Sequence, residues 1–313
     1  MKKNIIALAI ASAIAAPVAM ADAPTVYGQL NLNIANVDGN DTSVNSTASR
    51  IGVKGSEDLG DGLKAVYKIE FELPETADGD GKSPLKARNQ YLGLAGGFGT
   101  VLMGRHDTPT KMIQPSDLFN DGFADLKNMT TLNGAEVRAT DVLAYVSPSF
   151  GGVKLIGAAV MDEKAGTTNS GDTTGDWVNV AVTYGSTKEG LYLAAAWQDL
   201  TEDNLDAEFV RLSAQYKAGG LIANAMYQDN SGANVGGEGN FTQLQAGYKI
   251  GKFMPKVKYT MTDADNNAND ADAYAVGLNY SLGKKTTAYV YYTDRDQGGN
   301  GDTATIAGLL HKF

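Results

Sequence analysis

From Val26 almost to its last residue the chain alternates apolar and polar side chains one by one, and any fold must satisfy this period of two. In the stretch from Val26 to Ile34, the residues Val26, Leu30, Leu32 and Ile34 fall on one face, with Tyr27, Gln29, Asn31 and Asn33 on the other. Further on, Leu63, Ala65, Tyr67, Ile69 and Phe71 oppose Lys64, Lys68, Glu70 and Glu72. The same pattern starts again at Leu191, Phe241, Pro255 and Ala273. Strict alternation of this kind marks strands with one apolar and one polar face.

Two kinds of connection join these strands. Residues 147–152, 217–220, 249–252 and 281–285 are short turns, whereas VDGNDTSVNST and DEKAGTTNSGDTTGD are long, polar and rich in Gly, Asp and Asn. Short and long connections alternate, which predicts a meander with turns at one end and loops at the other. About sixteen strands are expected, starting near Val26, Arg50, Leu63, Arg88, Val101, Val137, Val153, Val178, Leu191, Phe209, Leu221, Phe241, Pro255, Tyr274, Thr286 and Thr303. No linker interrupts them, so residues 22–313 read as one domain.

A soluble sandwich of that many strands would need two or three domains, and no boundary is found. A barrel closed on itself in a bilayer satisfies every backbone group without an edge. Its outside must be apolar, while its lumen can be polar. The fold class expected is all-β: a transmembrane antiparallel barrel. Lys, Arg, Glu and Gln on the polar face suit a water-filled lumen. Tyr27, Tyr67, Tyr145, Trp197, Tyr227, Tyr248, Tyr259, Tyr280 and Tyr291 lie near strand ends, where interfacial girdles are expected.

The first residues, MKKNIIALAIASAIAAPVAMA, have two lysines, an apolar run and a closing A-x-A step, the order of a secretory signal peptide. The run is too short and Ala-rich to span hydrocarbon comfortably. Cleavage is expected after Ala21, which makes the remaining chain two charges more acidic than its formal −10. An acidic exported chain is a poor partner for nucleic acid. The absence of cysteine excludes disulfides, thiolate metal sites and a cysteine nucleophile.

One segment breaks the alternation. Asp107 to Glu136 is 30 residues long and carries Met112, Ile113, Leu118, Phe119, Phe123 and Leu126. A loop of that length is functional or disordered, and its apolar content favours one that packs on the lumen wall. A turn of helix is expected between Pro115 and Ala124. Asp117, Asp121 and Asp125 are spaced by four, which a helical turn would set on one side. Facing them, Arg50, Arg88 and Arg138 each open a strand, and Lys54 shares the polar face with Arg50. The alternation around Arg50 is clean; around Arg88 and Arg138 it is not.

The stretches SRIGVKGSEDLGDGLKAVYKIE, NQYLGLAGGFGTVLMGRHDTP, DLFND and LAYVSPSFGGVKL, with Phe313 last, resemble the general porins of Gram-negative outer membranes. The resemblance runs through the whole chain after the leader. It implies a homotrimer of sixteen-stranded barrels, set among outer-membrane lipids and lipopolysaccharide, passing ions and small hydrophilic solutes by passive diffusion. It also implies that loop 107–136 folds inward as a constriction, with Arg50, Arg88 and Arg138 on a basic wall, to which the alternation adds Lys54, and Asp117, Asp121 and Asp125 opposing them. Phe313 would be the residue read by the barrel assembly machinery. Three features depart from the pattern: Gln29 stands where some relatives carry lysine, SDLFNDGFAD replaces a Pro-Glu-Phe-Gly motif, and Leu310 stands where many carry arginine. Gln29 and the loop acids together predict weak cation preference.

The rivals are weaker. An outer-membrane enzyme needs a nucleophile and a base, and His106 and His311 are the only histidines, with no serine partner recognisable by spacing. Asp263, Asp265 and Asn267 open like a calcium loop, but Ala268 replaces its glycine and Tyr274 its closing glutamate. No metal or cofactor is expected. A substrate-specific channel would need an aromatic track, and Tyr27, Tyr192 and Tyr292 on the inner face make no series. An adhesin or structural barrel is the remaining alternative.

Overall fold

The structure, a computed structural model, describes residues 23–73, 85–161, 177–200, 207–232, 237–265, 270–297 and 301–313. The expected leader, 1–21, lies outside them, as do Asn267 and Ala268 of the rejected calcium loop. The strands are β1 (Thr25–Val37), β2 (Ser43–Ser46), β3 (Ser49–Gly60), β4 (Leu63–Leu73), β5 (Lys86–Gly96), β6 (Gly99–Asp107), β7 (Arg138–Val146), β8 (Val153–Val160) and β9 (Trp177–Gly185). They continue as β10 (Gly190–Asp199), β11 (Glu208–Ala218), β12 (Leu221–Ser231), β13 (Gly239–Tyr248), β14 (Phe253–Ala264), β15 (Ala271–Ser281), β16 (Thr286–Gln297) and β17 (Asp302–Lys312).

Both β2 and β3 pair with β1, through Ser43–Ser46 and Arg50–Lys54 respectively, so they are two lengths of one stave. The break falls at Ala48, which takes φ 51°. Counted this way the barrel has sixteen staves; fifteen begin within three residues of their expected starts, and the stave of β2 and β3 begins at Ser43, ahead of the expected Arg50. Every neighbouring pair is antiparallel, and β17 pairs with β1 from Lys312 opposite Gln29 to Ala304 opposite Val37. The sheet therefore closes with no free edge.

Burial is inverted relative to a water-soluble protein. Gln29, Asn31 and Asn33 are buried while Leu30, Leu32 and Ile34 between them are exposed, and the alternation recurs through β9 to β15. An apolar exterior around a polar interior is stable only where the exterior meets hydrocarbon. Aromatic residues ring the end of the short turns: Tyr184, Tyr216, Tyr248 and Phe253 are exposed, and the Tyr145 hydroxyl donates to the Phe98 carbonyl at 2.7 Å. Toward the long loops Tyr227, Tyr259 and Tyr274 donate to Asp229, Asp272 and Asp294.

Tyr27 and Tyr291 leave the expected girdle, Tyr27 in agreement with its place on the polar face beside Gln29. Tyr27 faces the lumen and donates to Glu70, and Tyr291 is buried inside with its ring edge-on to Phe119. Tyr292, expected inside, faces out beside Tyr274. Two tyrosines in a row carry no alternation, so the phase of β16 could not be read there.

Candidate functional site

Between β6 and β7 the chain leaves the wall and crosses the lumen. It begins with a single helical turn, α1 (Pro109–Met112), and later makes a 3-10 turn, Leu126–Asn128. The helix expected over 115–124 is absent. Pro115 lacks an N–H and Asp121 adopts φ 62°, which together favour turns over a continuous helix.

Apolar side chains seat this loop on the far wall. Ile113 packs against Tyr192 and Ala194, Phe119 against Tyr291, Leu126 and Leu132 against Met226 and Phe241, and Ala135 against Phe209. Gly277 makes room, since a Cβ there would lie 3.2 Å from the Phe119 ring. Polar groups complete the docking. Gln215 and Gln245 accept from the backbone N–H groups of Ser116 and Leu118, at 3.0 and 2.9 Å. Lys256 donates to the Leu118 carbonyl at 2.6 Å, and Lys258 donates to the Ala124 carbonyl at 2.7 Å while pairing with Asp117 at 2.6 Å. Arg211, fully buried, pairs with Glu136 at 2.7 Å. Backbone groups that no strand neighbour satisfies thus find partners on the wall.

On the loop's other side a cavity of about 990 Å³ separates it from the wall of β3, β5 and β7. Arg50 Nη1 meets Asp121 Oδ2 at 3.0 Å across this space. Gln29 fits between them, donating to the same carboxylate at 3.2 Å and accepting from Arg50 Nη2 at 3.3 Å. Arg88 and Arg138 also line the cavity but pair with wall carboxylates: Arg88 with Glu70 at 2.8 Å and Glu72 at 2.5 Å, Arg138 with Asp107 at 3.0 Å. The blurred alternation around these two arginines has a structural cause. The β4–β5 register shifts between Ile69 and Phe71, and the β6–β7 register shifts between Gly104 and His106, beside Asp141 at φ 56°. Such irregularities re-aim side chains.

The other sequence-derived residues are placed differently. Asp117 turns into the wall and its side chain is 1% exposed, tied to Lys258. Asp125 caps the 3-10 turn, accepting from the backbone N–H of Asp121 at 2.8 Å and of Lys127 at 3.2 Å. Burial, and then the neighbouring Asp117 carboxylate, push its carboxyl group above the usual aspartate range. Lys54 shares the lumen face with Arg50 but lies further toward the short turns, with Nζ 5.1 Å from the centre of the Tyr27 ring. Of the three loop acids only Asp121 meets an arginine of the opposite wall.

Sequence reasoning missed the carboxylates Glu70 and Glu72 as arginine partners, although both stood on the polar face of a well-phased strand. It also missed Lys86, Lys111, Lys127 and Lys312 around the cavity. With the three arginines these lysines make seven cations against six carboxylates on the lining. Two of those acids, Asp117 and Glu136, are already paired with Lys258 and Arg211 of the wall. Among the described residues Lys86, Lys127 and Lys312 make no ion pair, so the balance of the cavity is positive.

A family model described as Gram-negative porin matches residues 7–300. Outer membrane porin protein 32 of Delftia acidovorans is 29% identical over 358 aligned residues, spanning 100% of both chains. Major outer membrane protein P.IB of Neisseria meningitidis serogroup B is 29% identical over 350, again across 100% of both. Among solved structures, the anion-selective porin from Comamonas acidovorans superposes with a TM-score of 0.78 at 23% identity, covering 93% of this chain and 99% of that one. Vibrio cholerae OmpT in its trimer form gives 0.71 at 18% identity, covering 93% and 100%.

Proposed function

This chain belongs to the Gram-negative porin family and is an outer-membrane diffusion channel; from that premise we propose that the cavity between the docked loop and the wall of Arg50, Arg88 and Arg138 is the passage that sieves its solutes. Arginines keep their protons even when clustered. Arg50 and Asp121, paired at 3.0 Å, bridge the wall and the loop beside the cavity that both line. A small polar solute exchanges hydrogen bonds with water for bonds with these groups as it passes, whereas a bulky apolar one must displace oriented water and gets nothing back. No covalent step is involved. His106 lies against Tyr91, with Nδ1 2.8 Å from the Asp107 carbonyl oxygen.

The ion preference follows from the accessible charge, and it reverses the sign expected from the loop aspartates. Asp117 is neutralised in the wall, burial and Asp117 raise the Asp125 carboxyl group above the usual aspartate range, and Asp121 is matched by Arg50, while among the described residues Lys86, Lys127 and Lys312 make no ion pair. The observation that carries this reading is that positive balance. The Comamonas porin named anion-selective has the same fold, which accords with it. In a potassium chloride gradient the reversal potential is expected to show chloride favoured; potassium favoured would refute the reading.

Three further roles complete it. The active form is a homotrimer, as OmpT is recorded in a trimer form, so conductance should appear in steps of three. Residues 1–21 are removed on export, and terminal sequencing of the mature protein should begin at Asp22. Phe313 is the assembly signal, supported by its place at the seam, where its backbone pairs with Gly28 and its ring covers that glycine. The inner face gives a substrate-specific channel little support, since Tyr192 is buried under the loop and Tyr292 faces out.

A further inference from the structure

The geometry points to an oxyanion-binding subsite formed by Tyr27, Lys54 and Lys68, which takes the carboxylate or phosphate group of a solute beyond the narrow passage; it rests on the anion-favouring reading above. Lys54 and Lys68 are direct cross-strand partners on the lumen face of β3 and β4. Like charges opposite one another in a ladder repel. Here both ammonium groups nevertheless converge on one ring, at 5.1 and 5.7 Å from the centre of Tyr27.

The ring reaches that place because its partner on β3 is Gly52. A Cβ at Gly52 would come within 2.7 Å of the ring, so only glycine lets Tyr27 lie across the strand and donate to Glu70 on β4 at 2.8 Å. Glu70 also pairs with Arg88 at 2.8 Å and with Lys68 at 3.2 Å, and Glu72 takes the other arm of Arg88. Three cations therefore face two carboxylates. The charge left over falls on Lys54, which is exposed and, among the described residues, makes no ion pair.

An oxyanion placed between the two ammonium groups accepts from both and removes their repulsion, in charge-assisted bonds of the stronger kind. A neutral or cationic solute gains nothing there. Lys54 lies four residues along β3 from Arg50, about 13 Å toward the short turns, so a solute that has passed Arg50 meets this pair next. The subsite and the passage are separate stations on one wall.

Chloride current through single channels, recorded while inorganic phosphate is added to one side and then to the other, tests the subsite, with acetate as a second arm. The expected result is a block that saturates and whose half-blocking concentration differs between the two sides. Block by both anions assigns the subsite to oxyanions at large, and block by phosphate alone assigns it to phosphate groups. The double variant K54Q/K68Q should raise the half-blocking concentration about tenfold. K54R keeps the charge and should stay within about threefold of the native protein; K54Q alone, should the double variant not assemble, is expected to shift it by about threefold. Block that never saturates, or a half-blocking concentration unmoved by K54Q/K68Q, overturns the subsite even where the reversal potential favours chloride. A reversal potential favouring potassium overturns instead the reading on which it rests.

Discussion

Lys258 and Asp117 meet at 2.6 Å with side chains almost wholly buried beneath the loop. Removing one partner of such a pair leaves an uncompensated charge in a dry place. K258M should therefore cost about 3–5 kcal/mol, seen as a lower unfolding temperature, and should make single-channel current noisier as the loop loosens. Asp125 acts in the other direction. Its carboxyl group is raised in the folded chain, so its contribution to loop docking is fully present below the unfolded aspartate value of about 3.9 and is lost as pH rises through the folded value. Current noise from the loop should fall as pH drops through that window, and D125N should flatten the dependence; the same slope in D125N would contradict it. Across the passage, D121N should move the reversal potential further toward chloride and R50Q toward potassium, each by a permeability ratio of about twofold or more. That Arg50 faces the loop acids was legible because it sits on a cleanly alternating strand; that Asp121 is the one it meets was not. The Lys258–Asp117 contact was not, because its partners are 141 residues apart and neither has a local mark.

Strands and their order could be read because alternation is a local property that most staves obey on their own, while β5, β7 and β16 blur it. The irregular elements could not. The shifts opposite Arg88 and beside Asp141 depend on how two strands align, and the loop's turns depend on the wall it meets. Spacing by four suggested one acidic face to the loop, yet without a helix the three aspartates part ways, one into the wall, one onto a turn and one across the opening. At the last strand the pattern was sound: Ala307, Leu309, His311 and Phe313 share the outer face, and β17 seals against β1. Deleting Phe313 should lower the amount of barrel in the outer membrane more than it alters conductance. Full assembly without it, measured by quantifying heat-resistant protein in outer-membrane fractions, would contradict its role.

For the molecule as a whole, inverted burial decides the environment, and in the proposed reading the docked loop decides what crosses. An exterior of leucine, valine and tyrosine needs hydrocarbon around it, and an interior of glutamine, asparagine, lysine and arginine needs water or partners. The loop occupies part of that interior by satisfying its own polar groups on β9 to β16, leaving a passage on the arginine side. The most direct test is swelling of liposomes that contain the purified protein, in sugars graded by size. Entry rates should fall steadily with solute size and rise in proportion to the gradient without saturating. Swelling with none of the sugars, or with a single one at a rate that saturates, would contradict the account.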